Sequence, residues 1–159
     1  GKYGPTTMPK QIPIIQSHID DAIARGATVL MGGSGSVKAP FVEPVIFCNV
    51  PEDSIAMTEE TFGPVAPCIP FDDFEEAIDQ ANASHFGLAA MVMTTSAPRA
   101  LRAIHSLRAG MVKINTMRGK APGGTSEPVR GSGLGQGYGM EFFNEITTQK
   151  SIYWRSVPT

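Results

Sequence analysis

The residues best suited to chemistry stand together at positions 59–64, with the sequence Glu-Glu-Thr-Phe-Gly-Pro. The carboxylate of Glu60 can accept several hydrogen bonds, and the ring of Phe62 offers a flat apolar surface. Gly63 tolerates unusual φ values and Pro64 has a fixed φ, so the pair predicts a sharp entry into a strand. Such a turn would hold Glu60 and Phe62 at the rim of a sheet, where α/β proteins place ligand sites. The alternative is a solvated acidic turn in which Phe62 fills the core.

The cysteines and histidines indicate no second reactive centre. Cys48 and Cys68 lie in apolar, strand-like segments, which predicts buried thiols in a reducing compartment. Neither has a neighbouring histidine or helix N-terminus in the sequence that would activate it, so we assign neither a catalytic role. His18, His85 and His105 are scattered and lack the spacing of metal ligands, so we predict no metal site.

Hydrophobic periodicity predicts an alternation of helices and strands. Such alternation is typical of an α/β fold with a partly parallel open sheet and crossover helices. Prolines inside two of the strands predict that these are bent or lie at an edge. The predicted elements are a helix at 10–25 ended by Gly26, strands at 28–31, 41–50 (interrupted at Pro44), 65–71, 88–95 and 111–115, and helices capped by Asp72 or Asp73 and by Ser96.

Two of these elements also predict a pattern of burial. The continuous apolar run at 88–95 is typical of a strand covered on both faces. In the helix after Ser96, Leu101 and Ile104 are predicted to face inward, with Arg102 on a solvated basic face.

Composition excludes several classes of partner. The chain has 13 basic and 15 acidic residues, a net charge of −2, so neither nucleic acid nor an anionic membrane is expected as a partner. No apolar run approaches the roughly 20 residues of a membrane span. No basic and apolar leader opens the sequence, so we expect a cytoplasmic protein.

The last part of the chain differs in character. Residues 116–139 are rich in glycine and show no periodicity, and a loop of that length usually serves a site or connects domains. Glycines 133–139 do not follow a strand, so we interpret them as a flexible crossing and not as a phosphate loop. One helical turn is predicted at 141–145, and the loose alternation at 146–154 predicts a final strand. That strand either lies at the edge of this sheet or pairs with a neighbouring subunit.

Several of these segments occur in the order found in a known family. Residues 59–64 resemble the signature hexapeptide of the NAD(P)-dependent aldehyde dehydrogenases. The resemblance extends over nearly the whole chain and matches the C-terminal third of those longer proteins. The other matching segments are Asn82 with Phe-Gly-Leu-Ala-Ala at 86–90, Gly-Met-Val-Lys-Ile-Asn at 110–115, Ala-Pro-Gly-Gly at 121–124 and Gly-Ser-Gly-Leu-Gly at 131–135.

The resemblance implies a division of the chain and a cofactor. Residues 1–135 would be the C-terminal portion of the catalytic domain, and 136–159 a crossing segment and oligomerisation strand. The cofactor would be NAD or NADP. Glu60 would accept hydrogen bonds from the hydroxyls of the nicotinamide ribose, and Phe62 would lie beside the nicotinamide.

The resemblance also implies the reaction and the substrate side. The parent enzyme would oxidise an aldehyde to a carboxylic acid through a cysteine thioester, as a homo-oligomer. Its nucleophile, general base and dinucleotide-binding sheet should precede residue 1, so we expect the isolated chain to be inactive. A different hypothesis is a free-standing assembly or binding module that keeps the fold without catalysis. The residues that would line the aldehyde tunnel are Asn115, Thr116, Met117 and Arg118.

Overall fold

The computed structural model describes residues 4–117 and 124–156, which fall into two compact units, Gly1–Asp72 and Asp73–Thr159. The predicted α/β class is confirmed, because strands alternate with helices along the chain, with parallel and antiparallel pairs in the first unit and a parallel pair in the second. The domain boundary expected at residue 135 stays a prediction. In chain order the elements are α1 (Gln11–Ala24), β1 (Thr28–Met31), β2 (Val37–Lys38), β3 (Phe41–Val42), β4 (Val45–Cys48), α2 (Ile55–Thr58), β5 (Val65–Cys68), α3 (Phe74–Ala83), β6 (Ala89–Val92), α4 (Ala97–Ser106), β7 (Met111–Ile114) and α5 (Gly139–Ile146), with short 3-10 turns at Ser34–Ser36 and Arg130–Ser132.

Helix α1 forms as its periodicity predicts. Ile15, Ile19 and Ala22 recur at spacings of four and three and are fully buried, so they form the stripe that faces the core. Pro13 falls in the first turn, where its missing N–H costs no helical hydrogen bond. Gly26 follows the helix at φ +95°, a conformation that glycine adopts without strain.

The first unit contains a three-stranded sheet in the order β1-β4-β5. β1 and β4 are antiparallel, and β4 and β5 are parallel. The predicted strand at 41–50 breaks at Pro44, as expected for a bent strand. It is not an edge strand, because Pro44 precedes the ladder and leaves β4 free to pair on both sides. β5 pairs only with β4 among the described residues, which suits Pro67, a residue without an N–H to donate.

The second unit contains the parallel pair β6 and β7, joined by α4. Both of its capping predictions are confirmed. Asp73 accepts hydrogen bonds from the N–H groups of Glu75 and Glu76 at 2.9 and 3.0 Å, and Ser96 accepts one from Arg99. Such caps satisfy N–H groups that the first turn of a helix leaves without partners.

The predicted burial of β6, and of Leu101 and Ile104 in α4, is wrong. Met91 in β6 is half exposed, and Leu101 and Ile104 in α4 are also exposed, whereas Ala103 is fully buried. No element of the unit, within the residues described, covers that side of α4. Arg102 is exposed as predicted, and its guanidinium also pairs with the Glu75 carboxylate at 2.5–3.0 Å.

The C-terminal segment also differs from its prediction. The turn expected at 141–145 is a helix of two turns, α5, which takes up Ile146 from the predicted strand. Residues 147–156 pair with no strand in the described part of the chain, so the edge-strand alternative is not observed. Pairing with a neighbouring subunit stays a prediction. Across residues 4–117 and 124–156, the structure shows no helix with the length and apolar character needed to cross a membrane.

Candidate active-site loop

One face of α1 holds the loop that contains the Glu-Glu-Thr-Phe-Gly-Pro segment. Gln11, Ile15, His18 and Asp21 follow one another at spacings of four, three and three, so they share a face of the helix. Each of them contacts a residue between 54 and 63. The loop is therefore positioned by a rigid element that is itself anchored in the core.

His18 and Gln11 hold the middle of the loop. The imidazole of His18 is buried, with Nδ1 at 2.9 Å from the Thr61 hydroxyl and Nε2 at 3.5 Å from the Glu59 carboxylate. The Gln11 amide donates to the Thr61 carbonyl at 2.7 Å. Sequence reasoning missed this role for His18. The signal was a polar residue within the apolar stripe of α1, since a buried polar side chain needs a partner.

Asp21 holds the N-terminus of α2, the short helix that leads into the loop. Its carboxylate accepts hydrogen bonds from the Ser54 hydroxyl at 2.8 Å and the Ile55 N–H at 3.0 Å, and so fixes the first turn of α2. Arg25 binds the other carboxylate oxygen at 2.7 Å. The bond from Arg25, followed by that from Ser54, lowers the pKa of Asp21 below its ordinary value.

The loop presents Phe62 to the outside. Its side chain is 76% exposed, so the alternative in which Phe62 fills the core is wrong. The unusual backbone conformation lies at Phe62, at φ +44°, and not at Gly63 as expected. Gly63 serves a different purpose, because a Cβ there would lie 2.7 Å from the Ile15 side chain. The missing side chain lets the loop lie directly on α1.

A groove of about 770 Å³ borders this loop in the first unit. One wall is the segment 4–8 with the first turn of α1, and the other is formed by Phe62, Gly63 and Pro64. Glu60 is exposed on the same loop but does not line the groove.

The loop lies at the rim of the sheet, as predicted, and at the amino ends of the strands. It precedes β5, and the Pro64 carbonyl accepts a hydrogen bond from the Val45 N–H at the start of β4. Since β4 and β5 are parallel, the loop is at their amino ends. The general rule for open α/β sheets refers to the carboxyl ends.

The predicted substrate-side residues follow β7 in the second unit. The Asn115 amide donates to the Thr94 carbonyl and accepts from the Thr94 N–H, both at 2.8 Å, and joins the ends of β6 and β7. Thr116 and Met117 are exposed, Met117 by 73%. Arg118 lies outside the described residues. The Asn115 side chain therefore links two strand ends in the structure. Its contact with substrate stays a prediction.

Asn82, Gly87 and Gly110, in other segments that resemble the family, serve local packing, and residues 121–123 lie outside the described residues. The Asn82 side chain accepts from the Arg108 N–H and donates to the Ser106 carbonyl, both at 2.8 Å. A Cβ at Gly87 would lie 2.5 Å from Val129, and one at Gly110 would overlap the Glu127 carbonyl. Asn82 thus fixes the end of α4, while Gly87 and Gly110 let residues 127–129 lie against the starts of β6 and β7.

The prediction that the two thiols are buried is wrong. Cys48 is half-buried and Cys68 is exposed, because both side chains lie on the face of the sheet turned away from the core. Both are free thiols. Within the described residues no group of three or more His, Cys, Asp or Glu side chains has the arrangement of a metal site.

Comparison with known proteins decides the family. The model of the aldehyde dehydrogenase family matches residues 1–152. The chain belongs to the aldehyde dehydrogenase family. It is 37% identical over 154 residues to a mitochondrial aldehyde dehydrogenase of Leishmania tarentolae, covering 96% of this chain and 31% of that protein.

Solved aldehyde dehydrogenases have the same fold over the same region. The NAD-dependent aldehyde dehydrogenase of Sinorhizobium meliloti superposes with a TM-score of 0.87 at 32% identity, over 99% of this chain and 32% of that one. An indole-3-acetaldehyde dehydrogenase in complex with NAD+ gives a TM-score of 0.84 at 32% identity, over 94% and 31%. This aldehyde dehydrogenase chain therefore spans about a third of the length of the relatives it matches, and the resemblance in the sequence is confirmed.

Proposed function

We propose that the chain is the C-terminal part of an NAD(P)-dependent aldehyde dehydrogenase that oxidises an aldehyde to a carboxylic acid through a cysteine thioester. The observation that carries the proposal is the loop at 59–64, where Glu60 and Phe62 are exposed while α1 holds the residues between and beside them. A loop that a helix holds on one side, and whose side chains are exposed on the other, can bind a ligand in a defined orientation.

The residues of this loop fit the nicotinamide end of a dinucleotide. The Glu60 carboxylate is a hydrogen-bond acceptor that can bind both hydroxyls of the ribose. Phe62 presents an apolar ring against which the nicotinamide can lie. When bound, the dinucleotide supplies the hydride acceptor of the reaction. The part of this chain is to hold the ribose and restrict the ring, which lowers the entropy lost on reaching the reactive geometry.

The residues after β7 are the proposed substrate side. Thr116 and Met117 are exposed at the carboxyl end of the strand, and the Asn115 bond to Thr94 holds the backbone from which they extend. We include Arg118 with them as a proposed substrate contact. Neither Cys48 nor Cys68 has a catalytic role in this proposal, so the isolated chain should not turn over aldehyde.

A second candidate is an assembly module without catalysis. It is favoured by the exposed apolar side chains near the C-terminus, where Ile152, Tyr153 and Trp154 are 76%, 96% and 89% exposed. In the first proposal the same segment is the strand that pairs with a neighbouring subunit. Large exposed apolar side chains in a row are typical of interaction surfaces.

A titration of the isotope-labelled chain with NADH, followed by NMR, tests the cofactor contacts. We expect chemical-shift changes centred on residues 59–63. Replacing a charged hydrogen-bonding group costs about 1.5–3 kcal/mol, so Glu60→Gln should weaken binding roughly tenfold or more. Phe62→Ala should also weaken it, whereas Glu52→Gln, at an exposed carboxylate in the same unit, is the matched control.

The two candidates differ in the outcome. Shifts at 59–63 that weaken in the Glu60 and Phe62 variants support the dehydrogenase proposal. A monodisperse oligomer by light scattering, with no shift at millimolar NADH, supports the assembly module. Aldehyde oxidation by the purified chain alone would contradict the expected lack of activity.

A further inference from the structure

The two cysteines of the chain lie directly opposite each other on neighbouring strands. Cys48 ends β4 and Cys68 ends β5, and the parallel register pairs the two residues. Side chains alternate between the faces of a strand, and paired residues of neighbouring strands point to the same face. The two thiols therefore project from one face of the sheet.

The burial pattern identifies this face as the outer one. In β4, Val45 and Phe47 are fully buried, while Ile46 and Cys48, on the opposite face, are only half-buried. In β5, Pro67 is half-buried and Cys68 is exposed. A reagent in solution can thus reach Cys68 directly and Cys48 in part.

The spacing of the strands suits a covalent link. Neighbouring strands lie about 4.8 Å apart, and disulfides join residues whose Cα atoms are about 4.4–6.8 Å apart. Neither thiol is held strongly elsewhere. The Cys48 sulfur donates to the Asn49 side-chain oxygen and the Cys68 sulfur to the Ala66 carbonyl, each across 3.8 Å.

We propose that Cys48 and Cys68 form a dithiol site that a peroxide oxidises to an intrachain disulfide. The inference rests on register, burial and exposure, and is independent of the proposed catalytic function. The closed ring would include residues 49–67 and therefore the loop with Glu60 and Phe62.

A peroxide is the oxidant that takes up the two electrons of the thiols. The thiolate of the more exposed Cys68 attacks a peroxide oxygen, forms a sulfenic acid and releases hydroxide, which takes up a proton as water. The Cys48 thiolate then attacks the Cys68 sulfur, and the hydroxyl group leaves as a second water. Two thiols lose two electrons, the peroxide gains them, and a dithiol reductant reverses the reaction.

Treatment of the reduced chain with hydrogen peroxide, followed by intact mass and peptide mapping, tests the proposal. We expect the loss of two hydrogen atoms, a cross-linked peptide pair that contains Cys48 and Cys68, and full recovery with dithiothreitol. Cys48→Ser and Cys68→Ser are conservative controls. In each variant the remaining cysteine should instead gain oxygen atoms or form a disulfide-linked dimer, since no resolving thiol is left in the chain.

The same reaction in concentrated guanidinium chloride shows whether the disulfide depends on the fold. In the denatured chain, the two thiols can meet only by chance. We expect the intrachain disulfide to form at least tenfold faster in the folded chain. Oxygen addition at Cys48 or Cys68, located by peptide mapping, or intermolecular dimers of the folded wild-type chain would overturn the proposal, whereas oxygen on the methionines would not. So would an intrachain disulfide that forms as fast, or only, in the denatured chain.

Discussion

The two units of the chain bury their side chains in different ways. Among the described residues, the buried hydrophobic side chains belong to the first unit, with two exceptions. These are Ile78 and Ala103, which belong to the second unit. There α1 packs its apolar stripe against Phe47 in β4 and Ala56 in α2, which gives one continuous core. Burial of apolar surface is the largest favourable contribution to folding, so the first unit has its own source of stability.

The second unit depends more on polar and main-chain contacts. Asn82 and Asn115 each join two segments through paired hydrogen bonds, and Gly87 and Gly110 allow close backbone packing. A typical hydrogen bond contributes only about 1 kcal/mol net. Large apolar side chains of this unit stay exposed, among them Met93, Leu101 and Leu134. The second unit therefore has less apolar burial of its own than the first.

Phe47→Ala tests the core of the first unit and should have the largest effect. The ring is fully buried, so its loss leaves a cavity and should lower the free energy of unfolding by about 3–5 kcal/mol. Urea unfolding followed by circular dichroism measures this change. Tryptophan fluorescence is less suitable, because the one tryptophan, Trp154, is exposed.

Phe143→Ala is the matched control in the second unit. The Phe143 side chain is 57% exposed, and surface substitutions usually change stability by less than about 0.5 kcal/mol. Equal loss of unfolding free energy in the two variants would contradict the proposed difference in apolar burial between the two units.

Gly110→Ala tests the close packing of the second unit. An added Cβ would overlap the Glu127 carbonyl, a backbone atom that cannot rotate away. Overpacking of this kind costs about 1–3 kcal/mol. We expect faster hydrogen exchange at 124–133 and at the start of β7, measured by mass spectrometry.

Gly35→Ala is the control, since a Cβ at that glycine meets nothing within 4 Å. If Gly110→Ala left hydrogen exchange as slow as in the wild-type chain, the glycine-rich segment would not be held by this contact.

Local sequence signals predicted the elements of the fold well. The stripe of Ile15 and Ile19, the stop at Gly26 and the caps at Asp73 and Ser96 all occur where periodicity and capping place them. These features depend on residues close in sequence, and the chain conformation there follows from its own side chains.

The same signals failed where the outcome depends on distant surfaces. The apolar run of β6 and the positions of Leu101 and Ile104 predicted burial, yet these side chains are exposed. An apolar pattern indicates that a face needs cover, but not which part of a protein supplies it. The thiols of Cys48 and Cys68 show the same limit in the first unit.

His18→Leu tests how α1 positions the candidate loop. The substitution removes the contacts to Thr61 and Glu59 and leaves polar groups without their partner, at a cost of about 1–2 kcal/mol. We expect faster hydrogen exchange at residues 59–63. His18→Gln, which can still bond to Thr61, should restore part of the protection.

His105→Leu is the matched control, because His105 is exposed on α4 in the second unit. An equal effect of the two leucine variants on exchange at 59–63 would contradict the positioning role of His18.

The candidate loop could be predicted from the order of its own residues. The side chains of α1 that hold the loop in place could not. Glu60 and Phe62 are recognisable because the hexapeptide is contiguous in sequence. The contacts from Gln11, His18 and Asp21 join residues more than thirty positions apart. Nothing in the local pattern of the loop specifies a partner at that distance.

The smallest expected effect concerns the ion pair of the second unit. The hydrogen bonds from Arg102 lower the pKa of Glu75, so the folded chain binds this proton less readily than the unfolded chain. The stabilisation is present above the ordinary glutamate pKa and is lost as the pH falls through the lowered pKa. Both side chains are more than half exposed, so solvent screening keeps the contribution small.

Glu75→Gln should therefore be slightly less stable than the wild-type chain at neutral pH and equal to it at strongly acidic pH. Unfolding measured along a pH series checks this, with the neighbouring Glu76→Gln as the control for loss of one charge in the first turn of α3. A constant difference between the Glu75 variant and the wild-type chain would exclude a role for its ionisation. A pH-dependent difference would show that, in a unit with little apolar burial, even an exposed ion pair adds measurably to stability.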